Sequence, residues 1–392
     1  MRDRLSASMI MAAIAAAAVA GAAVTRTSAQ APASLKTPWG EPDLQGIWTV
    51  ETDTPFQRSP KYANQEFFTE AQRAEFDRER SALRGRDNRA ERGSEADVAG
   101  AYNAVFGAMK RTGPRTSLVV DPRDGRIPPV TAQAQKMAAV DHEFRLALMQ
   151  ATQTCKQQLP GCGGGKYIPT PTARRNEIPQ RYNTARMNRH DNIEDGALAD
   201  RCLTGGLPEF GAGNGGGSFR RIVQTPGGIA IAYDVGQGQG WQRSIVMNGS
   251  PHLPPSVRQW FGDSRGHWEG DTLVVDVTNF SPKTDYRGSR ENLRLVERWT
   301  RKSPTTLEYI ATIEDPTVWT RPWTVMQEFT RQSEEENRIY YEPRCVEGNE
   351  GFPAEMKAAR LEDREFAEGR GPDPLTHDNA TGGFNEPDPL QQ

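Results

Sequence analysis

Histidine and cysteine are both scarce, with 5 His and 4 Cys in a chain of 392 residues. No C-x-x-C occurs, and His142, His190, His252, His267 and His377 show neither H-x-H nor H-E-x-x-H spacing. The ligand spacings of a zinc centre are therefore missing, and no metal site is expected. An excess of one charge is lacking too. Lys and Arg number 48 against 51 Asp and Glu, for a net charge of -3. Without the dense cationic face that phosphate binding needs, no nucleic-acid partner is implied. Hydrophobic residues make up only 36% of the chain, and its mean hydropathy is -0.72. Turn formers are what it has in quantity, 37 Gly and 28 Pro. A chain this long can bury a sizeable core. With so few apolar residues, that core must be drawn from short segments between turns, which predicts a mainly β protein.

The longest apolar run lies at the start. Arg2 and Arg4 precede an uninterrupted apolar stretch from Met9 to Val24, and Thr27-Ser28-Ala29 supplies small residues of the kind a signal peptidase requires. A membrane-crossing helix needs ~20 strongly apolar residues, and this run is shorter and rich in alanine. A cleaved leader over residues 1–29 is expected, giving a periplasmic or secreted protein with no membrane attachment after cleavage. Cleavage removes Arg2, Arg4, Arg26 and Asp3, changing the balance from 48 against 51 to 45 against 50. Export favours disulfides over thiol chemistry. Cys155 and Cys162 enclose a loop short enough to close locally, while Cys202 and Cys345 would tie the middle of the chain to its last strand. Spacing alone leaves all three pairings open.

After the leader, residues 30–217 read as a loop and helix region wrapped on a core. Leu44–Val50 forms a first strand, and Gly46-Ile47-Trp48 resembles the opening of lipocalin-like barrels. Thr69-Glu70-Ala71-Gln72 is a capping box that starts an exposed helical arm reaching Leu83. Residues 84–97 read as polar and flexible. Further helices are expected from Asp97 to Lys110 and from Thr131 to Ala151, the latter with Met137, Val140, Phe144 and Leu148 at three- and four-residue steps. Ser117–Asp121 is a short strand, and residues 155–217 form loop. From 218 to 346 the pattern changes to alternating segments: Phe219–Gln224, Ile229–Val235, Trp241–Met247, Thr272–Phe280, Leu293–Arg301, Thr306–Asp315, Trp323–Thr330 and Arg338–Cys345. Their short links imply antiparallel neighbours, hence an antiparallel barrel or sandwich, possible as a calycin-like fold, with helical decorations on its N-terminal side. Residues 347–392 read as a helix from Pro353 to Phe366 and a disordered tail.

Alternation in Leu293–Trp299 places Glu297 on the same face as Leu293, Leu295 and Trp299. A carboxylate there must be paired, hydrogen-bonded or protonated, which makes Glu297 a candidate acid or base; a cross-strand ion pair with an Arg is the structural alternative. Glu314-Asp315 ends the next strand, at what would be a barrel mouth. Polar and aromatic groups are densest over 252–271, which supplies His252, Asp263 and His267 as acid–base candidates and Trp260 as a wall. Trp319-Thr320-Arg321-Pro322-Trp323 sets two indoles around a guanidinium, suited to stacking on a flat or apolar ligand. Gly262–Gly266 fits G-x-S-x-G, but it leads into a strand and lacks the downstream partners of a nucleophile elbow, so it reads as a pair of turns. Gly211–Gly216 fits G-x-G-x-x-G without a following helix, so no dinucleotide cofactor is expected.

The run Arg258–Phe280, together with Glu297–Arg301, Glu314–Trp323, Asp121–Arg126 and Gln224–Pro226, resembles a large family of uncharacterised exported bacterial proteins. The resemblance implies membership over most of the mature chain and transfers no activity, cofactor or catalytic residue. Cys155–Cys162 and Gly211–Gly217 look like departures from it. The expected function is therefore read from the residues: a cofactor-independent exported enzyme acting on a small organic or saccharide-like substrate by carboxylate and His acid–base chemistry, or alternatively a calycin-like binding protein for a small apolar ligand. Glu297 would be the acid or base, His252 or His267 its complement, Asp263 and Glu314 further carboxylates, and Trp260, Trp319, Arg321 and Trp323 the substrate contacts. One outcome is fixed by the cysteine reading: thiol titration of unfolded, unreduced protein should find at most two free thiols, and four would refute it.

Overall fold

The computed structural model describes residues 35–83, 110–178, 187–198, 201, 203, 206–210, 219–236, 239–332 and 351–380. Among the described residues twelve strands can be followed in chain order. The first four are short: β1 Gly46–Thr49, β2 Thr52–Asp53, β3 Arg111–Thr112 and β4 Val119–Asp121. The longer ones are β5 Phe219–Thr225, β6 Gly228–Gly236, β7 Gln239–Val246, β8 Asp263–Glu269, β9 Thr272–Thr278, β10 Arg294–Arg301, β11 Thr306–Glu314 and β12 Trp323–Arg331. The main sheet runs β1-β5-β6-β7-β8-β9-β10-β11-β12-β4, and β1 also pairs with β12. That last pairing, Trp48 with Arg331 and Thr49 with Thr330, closes the sheet into a barrel and leaves β4 outside the ring. β2 and β3 form a separate parallel pair.

Strict alternation builds the wall. On β10 the buried positions are Leu295, Glu297, Trp299 and Arg301, and on β11 they are Leu307, Tyr309, Ala311 and Ile313. β5 turns Arg220, Ile222 and Gln224 inward. The interior is filled by large side chains, with Trp48, Trp299, Trp323, Arg220, Tyr233, Tyr309, Phe280 and Phe329 all below 2% exposure. A barrel closed in this way has no free edge, so its outer positions can stay polar while one face of every strand carries the core.

Three features differ from the sequence expectation. Gly262–Gly266 is not a pair of turns, because residues 263–269 are the strand β8. Only Gly262 turns, at φ +66, and a Cβ there would meet the Thr278 carbonyl oxygen at 2.5 Å. Next, not every neighbour is antiparallel. β7 and β8 are parallel, paired at Ile245 with Ser264 and Val246 with Arg265. Between them runs the 247–262 connection, the long link that a parallel pair requires. Finally, the boundary at 218 does not isolate the barrel, since β1 from the preceding region is the strand that closes it. The expected Arg338–Cys345 strand, the Cys202 and Cys345 pair and most of the 97–110 helix lie outside the described residues.

Around the barrel, α1 Glu70–Leu83 opens on the capping box: the Gln72 N–H donates to Thr69 Oγ1 at 3.2 Å and the Thr69 N–H to Gln72 Oε1 at 2.8 Å. It is not wholly an exposed arm, since Phe76 is buried against Tyr62 and Phe68. α2 Ala132–Met149 is capped by Thr131 and buries Phe144 and Leu148 against Met187, whereas Met137 faces solvent. After α3 Gln153–Lys156, Cys155 and Cys162 form a disulfide. Past α4 Gly351–Ala367, residues 369–380 are tied down, with Thr154 Oγ1 donating to Asp378 at 2.5 Å and the Asn379 N–H to Asn188 at 2.8 Å. No helix among the described residues is long and apolar enough to cross a membrane. Because Trp299 is fully buried inside the ring, Trp299→Ala should lower the unfolding free energy by about 3–5 kcal/mol, measured by urea denaturation; a loss under about 1 kcal/mol would place it outside the core.

Candidate functional site

Inside the barrel the aromatic wall surrounds a small set of charges. Glu297 is 0% exposed. Its Oε2 accepts a hydrogen bond from Arg243 Nη2 at 2.5 Å, and its Oε1 accepts one from the Tyr309 hydroxyl at 2.6 Å. Arg243 stands on β7 and Glu297 on β10, strands separated by β8 and β9, so the pair spans the interior instead of linking neighbours. Its ladder neighbours are Val275 on β9 and Ala311 on β11, both fully buried. Burial alone would disfavour the guanidinium charge, but the Glu297 carboxylate outweighs it and holds Arg243 above its ordinary range. Burial, followed by the nearby carboxylate, keeps the Tyr309 hydroxyl protonated well above the usual tyrosine range. Burial does the same for Tyr233, which feels both Arg243 and Glu297.

A second pair lies beside the first. Arg220, fully buried, forms an ion pair with Glu209, and its guanidinium carbon sits 3.6 Å from the Phe329 ring centroid. Glu209 comes from the 206–210 segment, whose Leu207 and Phe210 are themselves buried. Phe210 packs on Tyr309 at 5.9 Å and on Phe56 at 5.8 Å. Tyr309 in turn packs on Trp299 at 4.1 Å. Several buried nitrogens around this cluster have no hydrogen-bond partner: Nε and Nη1 of Arg220, Nε and Nη1 of Arg243, and the Trp299 indole nitrogen. All of them are donors only.

The sequence candidates divide across the barrel wall. Glu297 faces inward. His252 lies against the outside, with Nδ1 2.8 Å from Asp263 Oδ2 and Nε2 3.6 Å from Asp276 Oδ2. Asp276 stands opposite Val296, an outward position, so the wall separates His252 from Glu297 and the two do not share a pocket. Asp263 also takes a two-point contact from Arg265, at 2.9 and 3.0 Å, and the Leu253 N–H at 3.0 Å. Burial would raise its carboxyl, but the Arg265, Leu253 and His252 hydrogen bonds outweigh that and hold it below the usual carboxylate range. These bonds pin the 247–262 connection to β8, a structural clasp. Glu314 continues an outer ladder through Arg294, which also binds Asp276. His267 is exposed beside Glu269, which Arg298 holds. Trp319 and Trp323 are buried and stacked edge to face at 5.4 Å, so they are core and not open platforms. Arg321 lies on the surface in a two-point contact with Asp121, and Trp260 is half-buried in the connection. Among the described residues no three His, Cys, Asp or Glu side chains gather as a metal site would require.

Arg243, Tyr309, Tyr233 and the Arg220 and Glu209 pair were not singled out from the sequence. For Arg243 the signal was present: in Trp241-Gln242-Arg243-Ser244-Ile245, alternation sets the Arg on the apolar face, as it does Glu297 on β10. Arg220 is harder, because Arg221 follows it and only the register decides which one faces inward. A surface groove of about 490 Å3 also runs over the outside of β5, β6 and β7, lined by Arg221, Val223, Ala230 and Gln242 among others. Of the outward-facing side chains along it only Arg221 is charged, so the polar chemistry is concentrated inside.

No protein-family model matches the chain, and no curated protein is significantly similar to it. Among solved structures it is similar to the crystal structure of a single-substitution mutant of the fluorescent protein UnaG, at 15% identity and a TM-score of 0.19. The match covers 30% of this chain and 72% of that one. A likeness of that size adds nothing to what the strand pairing already establishes. The interior pair generates its own test. Arg243→Met strands a buried carboxylate and should cost about 3–5 kcal/mol in urea unfolding, while adding Glu297→Gln should restore more than half of the loss. A single-mutant cost under about 1 kcal/mol would mean that the pair does not organise the interior.

Proposed function

We propose that the protein is an exported binding protein that holds a small, largely apolar molecule within its barrel. One observation carries this reading: an aromatic interior contains buried donor nitrogens on Arg220, Arg243 and Trp299 that the chain itself leaves without acceptors. Each such group costs free energy until a partner supplies an acceptor. A ligand with a flat apolar body and a few acceptor atoms suits both features, which is the usual composition of a small-molecule site. Acid–base turnover has less support. Both Glu297 oxygens are already engaged, by Arg243 and by Tyr309, and the histidine meant to complement it lies across the wall. The leader-like start and the Cys155 to Cys162 disulfide support an extracytoplasmic location.

The test is native mass spectrometry of the mature protein purified without denaturants, joined to titration with 8-anilinonaphthalene-1-sulfonate followed by tryptophan fluorescence. The expected result is a retained small molecule at one per chain, or saturable single-site dye binding that Arg220→Met weakens by about tenfold, the loss of one charge-assisted contact. Bare protein mass together with unsaturable dye binding, unchanged by the substitution, would refute the reading.

A further inference from the structure

The barrel already holds something that resembles a ligand, and the chain supplies it. In the 206–210 segment a carboxylate, Glu209, is followed directly by an aromatic ring, Phe210. The carboxylate meets Arg220 and the ring packs on Tyr309 and Phe56. Exposure within the ion pair is uneven: the Arg220 side chain is fully buried, while Glu209 keeps 18% of its surface. Glu209 is therefore the member of the pair that solvent reaches. Its hold on Arg220 is incomplete, because Nη2 makes the ion pair while Nε and Nη1 are buried without partners. A guanidinium offers paired donors to a carboxylate, and a better placed one would use two of them.

Charge decides which molecules fit. Arg220 is matched by Glu209 and Arg243 by Glu297, so an anion set on either guanidinium competes with the carboxylate already there, and one added beside an intact pair is costly to bury. A ligand anion on either guanidinium takes the place of one of the two resident carboxylates. Glu297 is fully buried and held through both oxygens on a strand of the ring, whereas Glu209 is partly exposed and belongs to a segment that is not one of the ring's strands.

We infer that residues 207–210 act as a built-in competitor for the binding site, and that the ligand is a small aromatic carboxylate that displaces them, setting its carboxylate on Arg220 and its ring against Tyr309 and Phe56. This inference rests on the interior-binding reading above. It explains why a buried guanidinium is left with unused donors: the resident carboxylate fills the site without making every contact available there. Displacement lowers the apparent affinity by the fraction of molecules in which the segment is out, so weakening the segment tightens binding without changing the site.

The test compares 2-naphthoate, 2-naphthamide and methyl 2-naphthoate by isothermal titration against the full mature chain, its Glu209→Gln variant and its Phe210→Ala variant. Removing the competing carboxylate should tighten 2-naphthoate by about tenfold or more in Glu209→Gln, with the amide and ester changing by less than about threefold. Phe210→Ala, which keeps Glu209, should tighten all three while preserving a preference for the acid of about tenfold. Thermal unfolding gives a second readout: Glu209→Gln should melt lower than the parent, and 2-naphthoate should raise its midpoint more than that of the parent. If Glu209→Gln does not fold, the acid-to-amide ratio in Phe210→Ala decides. Equal affinity for acid and amide, or no tightening of the acid in Glu209→Gln, would overturn the inference and leave the interior-binding reading standing. Failure of all three compounds to bind any folded variant would overturn both.

Discussion

The ion pair between Arg243 and Glu297 is the constraint around which the barrel interior is arranged. It spans the ring from β7 to β10, and each partner would be prohibitively costly without the other. The pair sets conditions on its neighbours. Ala311 is small directly beside Glu297, Tyr309 supplies the second hydrogen bond, and Tyr233 lies close enough to feel both charges. Trp299, Phe329 and Phe210 then exclude water from the cluster, which strengthens every polar contact inside it and raises the cost of each donor left unused.

The same logic separates two kinds of charge in this molecule. On the outer wall, Asp276, Arg294 and Glu314 form a ladder at positions open to solvent, and such contacts contribute little each. His252, Asp263 and Arg265 are better shielded, and they serve to fasten the 247–262 connection to the strand it precedes. The parallel β7 and β8 pairing depends on that fastening, because it includes only two registered residue pairs. Inside the ring the charges are few, paired and surrounded by aromatic rings, and there the surplus of donors gives the interior a chemical preference. Lys110 extends this polar zone. Burial lowers its pKa, against the opposing pull of Asp53 and Glu51, and Arg220 and Glu209 are close enough to contribute.

Much of the fold was legible because it depends on local chemistry. Alternation alone put Leu295, Glu297 and Trp299 on one face of β10 and Leu307, Tyr309, Ala311 and Ile313 on one face of β11, and those are the buried faces. Thr69 and Gln72 announced a helix start through the reciprocal bonds that they form. The short spacing of Cys155 and Cys162 marked a loop able to close locally, and of the three pairings left open that is one that forms. The strand β8 was missed because glycine and serine carry turn signals, whereas its strand character comes from lying between β7 and β9, where the ladder, and not intrinsic propensity, decides.

The candidate site shows the limit of such reading. The sequence determined by itself that Glu297 faces an apolar layer and needs a partner, since the two-residue period of a strand is a property of the backbone. It did not determine which cation answers it, because Arg243 lies 54 residues away and is brought across by ring closure. Nor did it determine that His252 and Glu297, each plausible alone, stand on opposite sides of one wall. That was decided by the register of β9 against β10, where Asp276 meets Val296 and Val275 meets Glu297, and a shift of one residue would have reversed it. Faces follow from the local chain. Which faces meet follows only from the closed ring, because barrel closure fixes the register of every strand at once.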